Sequence, residues 1–420
     1  MLNYLFISLL LAMVITKLWL ASRQIRHVTA NRSLIPKYFS ESITLKDHQR
    51  ATDYALARTK LSIIETLAQS VLLIALTLMG GLQILHLTVS KWLGDGYIGQ
   101  ITLISMVLLI FRLADLPFSY IRQFIIEQRF GFNRMSFALF VTDMLKGSVL
   151  VLILGLPILF FILWVMQETG SVWWLYTWLV WVSFNFFLIL LYPTVVAPIF
   201  NKFEPLRDPL LTKRIEGLMK RCGFSRNGLF SIDSSRRSTH GNAYCTGFGP
   251  SKRIVFFDTL IERLSHAEIE SILAHELGHF KQQHVTKRLI AIFMLSLAFL
   301  FLLDLLAYQT WFYTNLGIQP SIRPDTNNAL KLILFFLIFP VFGFFAAPIS
   351  RLTSQKQEFE ADAFAAKQTK TSNLVDALVK LYKENGSILT SDSIYASFYY
   401  SHPPASQRIN RLLEDMHEAS

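Results

Sequence analysis

Seven long apolar stretches set the pattern of the chain, near 2–22, 61–87, 97–118, 143–167, 172–197, 287–308 and 329–349. Each is long enough to cross a bilayer as a helix. The first has no basic region ahead of its apolar run and no small-residue cleavage site behind it, so it reads as an uncleaved span. Between the fifth and sixth stretches the pattern changes. LTKRIEGLMKRCGF has the apolar spacing of an amphipathic helix stopped at Gly223, and LFSIDSS, HGNAYCTGFG and RIVFFDTL read as short strands between polar turns. Helical periodicity returns at 265–284, where Ser265 and Glu268 form a capping box and Ile269, Ile272, Leu273, Leu277 and Phe280 make an apolar stripe. A strand just ahead of this helix could offer its edge to an extended peptide, or simply pack. The expected organisation is a five-span region at 1–197, an α+β insertion at 198–286, a transmembrane hairpin at 287–349 and a polar C-terminal segment at 350–420.

Composition removes the soluble alternatives. Of 420 residues, 52% are hydrophobic and only 16% charged, and the mean hydropathy of +0.40 belongs to a polytopic membrane protein. The net charge of +11 would suit nucleic acid in a soluble chain. Here the basic residues follow topology instead. Arg23, Arg26, Arg32, Lys37, Lys46, Arg50, Arg58 and Lys60 follow the first span, and Arg122, Arg129 and Arg134 lie between the third and fourth. The segment 198–286 and the tail are basic too, whereas the loops at 88–96, 168–171 and 309–328 hold little beyond Lys91 and Arg323. Positive-inside then predicts an external N-terminus, and an internal insertion and C-terminus. Lys17, Glu65, Arg112, Asp115, Asp143, Lys146 and Asp304 fall in or beside spans, and Glu65 and Asp304 hint at a polar interior. Cys222 and Cys245 make neither a disulfide framework nor a zinc-finger spacing, and read as reduced thiols.

The chemistry concentrates in HELGH, residues 275–279. Four residues along a helix is about 40° around its axis, so His275 and His279 share a face and can hold one zinc ion, with Glu276 as general base. Gln282 and Val285 replace the Gly and third His of a metzincin, and His284 would lie about 140° off the ligand face on a continuing helix. The third ligand therefore comes from elsewhere. QEFEADAFAAK is the candidate: Glu358 and Asp362 are one turn apart and share a face, one as ligand and one orienting a ligating histidine. Glu360 points elsewhere and reads as ordinary surface. Two spans separate His279 from Glu358, which returns both to one side of the membrane.

QRATDYALARTKL (49–61), IEQRFGFNR (126–134), YPTVVAPIFNKFEPL (192–206), RRSTHGNAY (236–244), HELGHF (275–280), EFEADAF (358–364) and SHPP (401–404) carry a resemblance to the integral-membrane CAAX prenyl endopeptidases. The resemblance implies an all-α membrane fold of seven helices around a water-filled chamber, with a small α+β metalloprotease insertion. It implies one zinc held by His275, His279 and Glu358, Glu276 as base and Asp362 behind a ligand. It places Asn242 and Ala243 on a substrate-aligning edge strand, and brings His402 and Arg408 back to the active site, His402 at the oxyanion or in a structural part and Arg408 at the substrate. The tail EDMHEAS lacks a dilysine-type retrieval signal and the loops are short, which points to a bacterial inner membrane, with the endoplasmic reticulum as the alternative. Bacteria are not expected to prenylate proteins, so the natural substrate stays open. The expected partners are a peptide or protein substrate, lipidated or plain, and the bilayer, with no nucleic acid. A membrane quality-control metalloprotease is the alternative enzyme, and a transporter or lipid-binding chamber the non-enzymatic one.

Overall fold

The computed structural model describes residues 2–224, 228–246, 253–321 and 327–418. Among these, seven helices are long and apolar enough to cross a membrane: Leu2–Ala30, Leu45–Leu76, Tyr97–Glu127, Phe137–Glu168, Gly170–Phe200, His284–Ala307 and Asn328–Gln368. The chain is an all-α membrane protein with the expected number of spans. The second span is where the boundaries differ most. Its helix starts at Leu45, capped by the Thr44 side chain, and stops at Leu76. Gly80, at φ 77°, then turns the backbone into a separate helix, Gly81–Leu93. Hydropathy runs through 61–87 because it registers apolarity and not the left-handed glycine that breaks the helix. Arg323, expected in the last external loop, lies outside the described residues.

Phe6, Leu10, Leu82, Leu103, Leu163, Leu303, Phe312 and Leu330 pack into one apolar core within the bundle. The fifth and sixth spans contribute little to it, with only 6% of their apolar windows buried. Most ionisable groups near the spans have partners. Arg122 pairs with Glu65, Trp173 Nε1 donates to Asp304 at 2.5 Å, and Lys146 Nζ donates to the Ile199 carbonyl at 3.0 Å. Arg237 reaches from the insertion to Asp143 at 2.8 and 3.0 Å. Two stretches widen into π turns, Ile121–Glu127 and Tyr192–Val196.

Four strands form one sheet: β1 (Phe203–Pro205), β2 (Leu229–Ile232), β3 (Ala243–Thr246) and β4 (Arg253–Phe257), in the order β1-β2-β4-β3. β2 and β4 are parallel, and the other two pairs are antiparallel. β1 is only three residues long and has no alternation to betray it. β4, the strand just ahead of the HExxH helix, is internal, and the outer strands are β1 and β3. The end of the second expected strand, 247–249, and the Cys245 side chain lie outside the description. Cys222 is free and buried.

The sequence segments 198–286 and 350–420 share a single hydrophobic core. Leu211, Ile215 and Leu218 of helix Pro209–Cys222 meet Phe256 of β4, Ile269 and Leu273 of the HExxH helix, and Ala365, Leu374, Ile409 and Leu412 of the C-terminal segment. Phe39 and Ile43, from the loop after the first span, complete it. Each fully buried Leu or Ile here contributes about 1.5–3 kcal/mol.

Candidate metal centre

The metal helix, His266–Lys281, starts at the expected cap: Ser265 accepts from the Glu268 backbone while the Glu268 carboxylate accepts from the Ser265 N–H at 2.7 Å. It lies against the acidic helix, Ala347–Gln368, which continues directly from the seventh span. Small residues permit the close approach. A Cβ on Gly278 would stand 3.1 Å from the Cα of Ala361, and Ala361 is fully buried. This contact sets Glu358 and Asp362, on the same face as Ala361, opposite the two histidines.

Three donors converge. His275 Nε2 lies 3.2 Å from His279 Nε2, and the Glu358 carboxylate lies 3.4 Å from the first and 3.3 Å from the second. Atoms held at about 2.0–2.2 Å around a tetrahedral ion stand about 3.4 Å apart, so the spacing fits zinc. The donor chemistry agrees. His275 Nδ1 donates to Asp362 at 2.8 Å, which leaves a lone pair on Nε2 pointing into the cluster. Glu358 Oε2 is buried and, although His402 Nδ1 is 2.7 Å away, accepts no well-aligned hydrogen bond. Burial alone would lower the His275 pKa; the carboxylates of Asp362 and Glu358 outweigh it and raise the pKa to about 9. That demand for positive charge is what a divalent cation meets.

The whole chain matches known proteins along the same lines. Residues 24–202 match the family model described as CAAX prenyl protease N-terminal, five membrane helices, and residues 205–416 match peptidase family M48. The chain belongs to the CAAX prenyl protease branch of peptidase family M48. Among curated relatives, the CAAX prenyl protease 1 homolog of Oryza sativa is 32% identical over 96% of this chain and 95% of its own length. CAAX prenyl protease 1 of Saccharomyces cerevisiae is 31% identical over 94% and 91%. The crystal structure of Ste24p from S. mikatae superposes with a TM-score of 0.90 at 28% identity, covering 98% of both chains. This chain is thus a membrane-embedded metallopeptidase of the zinc-dependent M48 family.

The remaining candidate residues sort by what they touch. Glu276, next to the first histidine, is half-buried, and burial raises its pKa while the neighbouring histidines pull the other way. Arg408, expected at the substrate, is instead buried and gives Nε and Nη2 to Asp362 at 2.7 and 2.6 Å. Its side chain reaches Asp362 from behind, and its edge lines a cavity of about 720 Å³ together with Tyr54, Arg58, Asn242, Tyr382 and His402. His402 is 62% exposed toward that space. The Asn242 carbonyl accepts from Phe257 N–H at 3.0 Å and so faces β4. Backbone groups of the next residue in an extended strand point the other way, which turns Ala243 toward the unpaired edge of β3. The Asn242 Oδ1 caps the Ala243 N–H there at 2.9 Å.

Two positions have neighbours that the sequence reading did not give them. His284 is buried at 2% exposure and its Nδ1 lies 3.0 Å from His279 Nδ1. Glu360, read as surface, lies 2.9 Å from His284 Nε2. A continuing helix would carry His284 off the ligand face, but Gln283 takes a left-handed conformation and swings His284 back. A third cluster was not foreseen: Tyr54 donates to Glu127, whose other oxygen is 3.3 Å from His240 Nε2. It joins the second and third spans to the segment leading into β3. Only the grouping of the IEQRFGFNR and RRSTHGNAY motifs hinted at it.

Proposed function

We propose that this peptidase holds one zinc through His275, His279 and Glu358 and hydrolyses a peptide bond near the C-terminus of a CAAX-type, lipid-modified substrate. The convergence of the three donors, 3.2–3.4 Å apart beside Glu276, carries the reading. Zinc, when bound, supplies Lewis acidity that polarises the scissile carbonyl and brings the pKa of a water toward about 7. Glu276 takes the water's proton on its carboxylate and returns it to the leaving nitrogen. Asp362 keeps the His275 proton on Nδ1, and Arg408 holds Asp362 in place and ionised. His402 donates to the carbonyl oxygen as charge develops there. The substrate runs extended along β3, its main chain replacing the Asn242 side chain at the Ala243 N–H.

The site is assigned to the cytoplasmic face, of a bacterial inner membrane or alternatively of the endoplasmic reticulum, from the basic loops that flank it. Single cysteines replacing Ser90 and Asn315, with Cys222 and Cys245 changed to serine, are expected to label from outside intact cells. A cysteine at Glu41 is expected to label only after the membrane is opened. Labelling of Glu41→Cys from outside overturns the assignment. The substrate is tested by mass spectrometry of products from a prenylated CAAX peptide and its unlipidated twin. Cleavage of the prenylated peptide at one bond, at a clearly higher rate than the twin, is the expected result. Equal cleavage of both, at several bonds, favours a quality-control protease instead.

A further inference from the structure

His275 and His279 are supported differently. Behind His275 stands a carboxylate, Asp362. Behind His279 stands another imidazole, His284, and only behind that a carboxylate, Glu360. The geometry points to His284 and Glu360 as positioning residues that fix the tautomer and orientation of His279 for the metal. The inference rests on the ligand set proposed above.

The proton assignment follows from chemistry. An ionised Glu360 can only accept, so His284 Nε2, 2.9 Å away, carries a hydrogen. A neutral His284 then has a lone pair on Nδ1. The atom 3.0 Å from it, His279 Nδ1, must therefore be the donor. With its proton on Nδ1, His279 presents the Nε2 lone pair to the cluster, where Nε2 lies 3.3 Å from Glu358. The opposite assignment would place a hydrogen on His279 Nε2 and abolish ligation.

The backbone carries a second, independent sign. Gln283, at φ 56° and ψ 31°, is the one non-glycine residue with positive φ among the described residues. Side chains disfavour this conformation, and it persists where surrounding structure enforces it. Here it separates the metal helix, which ends at Lys281, from the sixth span, which starts at His284 with its ring against His279. Ring centroids are 5.1 Å apart at 71°. Arg288, one turn further, donates to Gln357 at 3.4 Å, so the sixth span is tied to the acidic helix at Gln357 as well as at Glu360. Lys356 Nζ, at 4.0 Å, is a charged group that faces Glu360.

The test is the rate at which purified full-length protein gives up zinc to a chromogenic chelator, read alongside melting with and without metal. Glu360→Ala is expected to speed zinc loss by about 10-fold or more, within the range seen when groups behind ligands are removed. Glu360→Gln, whose amide oxygen can still accept, should show a smaller effect. Lys356→Ala should match wild type. Because Glu360 is on the rim of the site, metal-free melting of Glu360→Ala should also match wild type. Zinc loss at the wild-type rate in both Glu360 variants overturns the inference. So does a fall in metal-free melting as large as the fall in the zinc-bound form, which would mark a packing role. Glu358→Ala retaining zinc would instead overturn the ligand set itself.

Discussion

Around Gly278 two helices touch backbone to backbone, whereas the fifth and sixth spans turn most of their surface outward. The spans are far more hydrophobic in sequence, yet both regions carry apolar residues and use them for different ends. Around the candidate metal centre, Ala361, Leu273 and Leu277 are buried by neighbours and their volumes fix where the three donors stand. On the fifth span, Leu175 and Leu179 are 37% and 46% exposed and need only be compatible with lipid. The comparison teaches that shape governs the first region and solvent the second. The same size of substitution should therefore have very different consequences.

The largest effect should follow from chemistry with no change of shape. Glu276→Gln should keep zinc and fold but lower peptide cleavage by about 10²–10⁴-fold or more. Full zinc with undiminished cleavage in that variant would remove Glu276 as the base. Next comes charge. Arg408→Met leaves the buried Asp362 with only the His275 Nδ1 donor, and breaking a buried pair of this kind costs about 3–5 kcal/mol. Denaturant unfolding in detergent reads this directly, and an unchanged midpoint would mean that His275 alone satisfies Asp362. Gly278→Val forces a Cβ against Ala361 and should cost about 1–3 kcal/mol, with part of the zinc lost. Leu175→Ala should stay within about 0.5 kcal/mol of wild type with full zinc. A loss at Leu175 as large as at Gly278 would erase the contrast, and would mean that a protein surface covers the fifth span.

Local signals were legible from sequence and long-range ones only in part. The capping box at Ser265 and the pairing of His275 with His279 depend on spacing along one helix, and spacing is written in the chain. Glu358 could be reached because an even number of spans returns the chain to the same side. The seven spans were visible as well, since twenty apolar residues announce themselves. The break at Gly80 was not, because one backbone torsion leaves hydropathy unchanged. Gln283 hid His284 for the same reason: a rotation computed for an ideal helix fails after one left-handed residue. Arg408 was expected at the substrate, and only packing shows that Asp362 takes its guanidinium. β1 lay beyond reach because three residues contain no period.

The two π turns, Ile121–Glu127 and Tyr192–Val196, close their hydrogen bonds over one residue more than an α-helix does. The first ends on Glu127, which receives Tyr54 and His240, and the second contains Pro193, whose carbonyl accepts from Arg253 of β4 at 2.6 Å. Each works as a phase shift between two helical gears. Removing a single residue from the regular helix ahead of either would leave length, hydropathy and span count almost untouched, but would turn everything ahead of it by about 100° relative to the π turn. Such a deletion would insert into the membrane normally and disengage there, its teeth no longer meeting the domain that does the cutting.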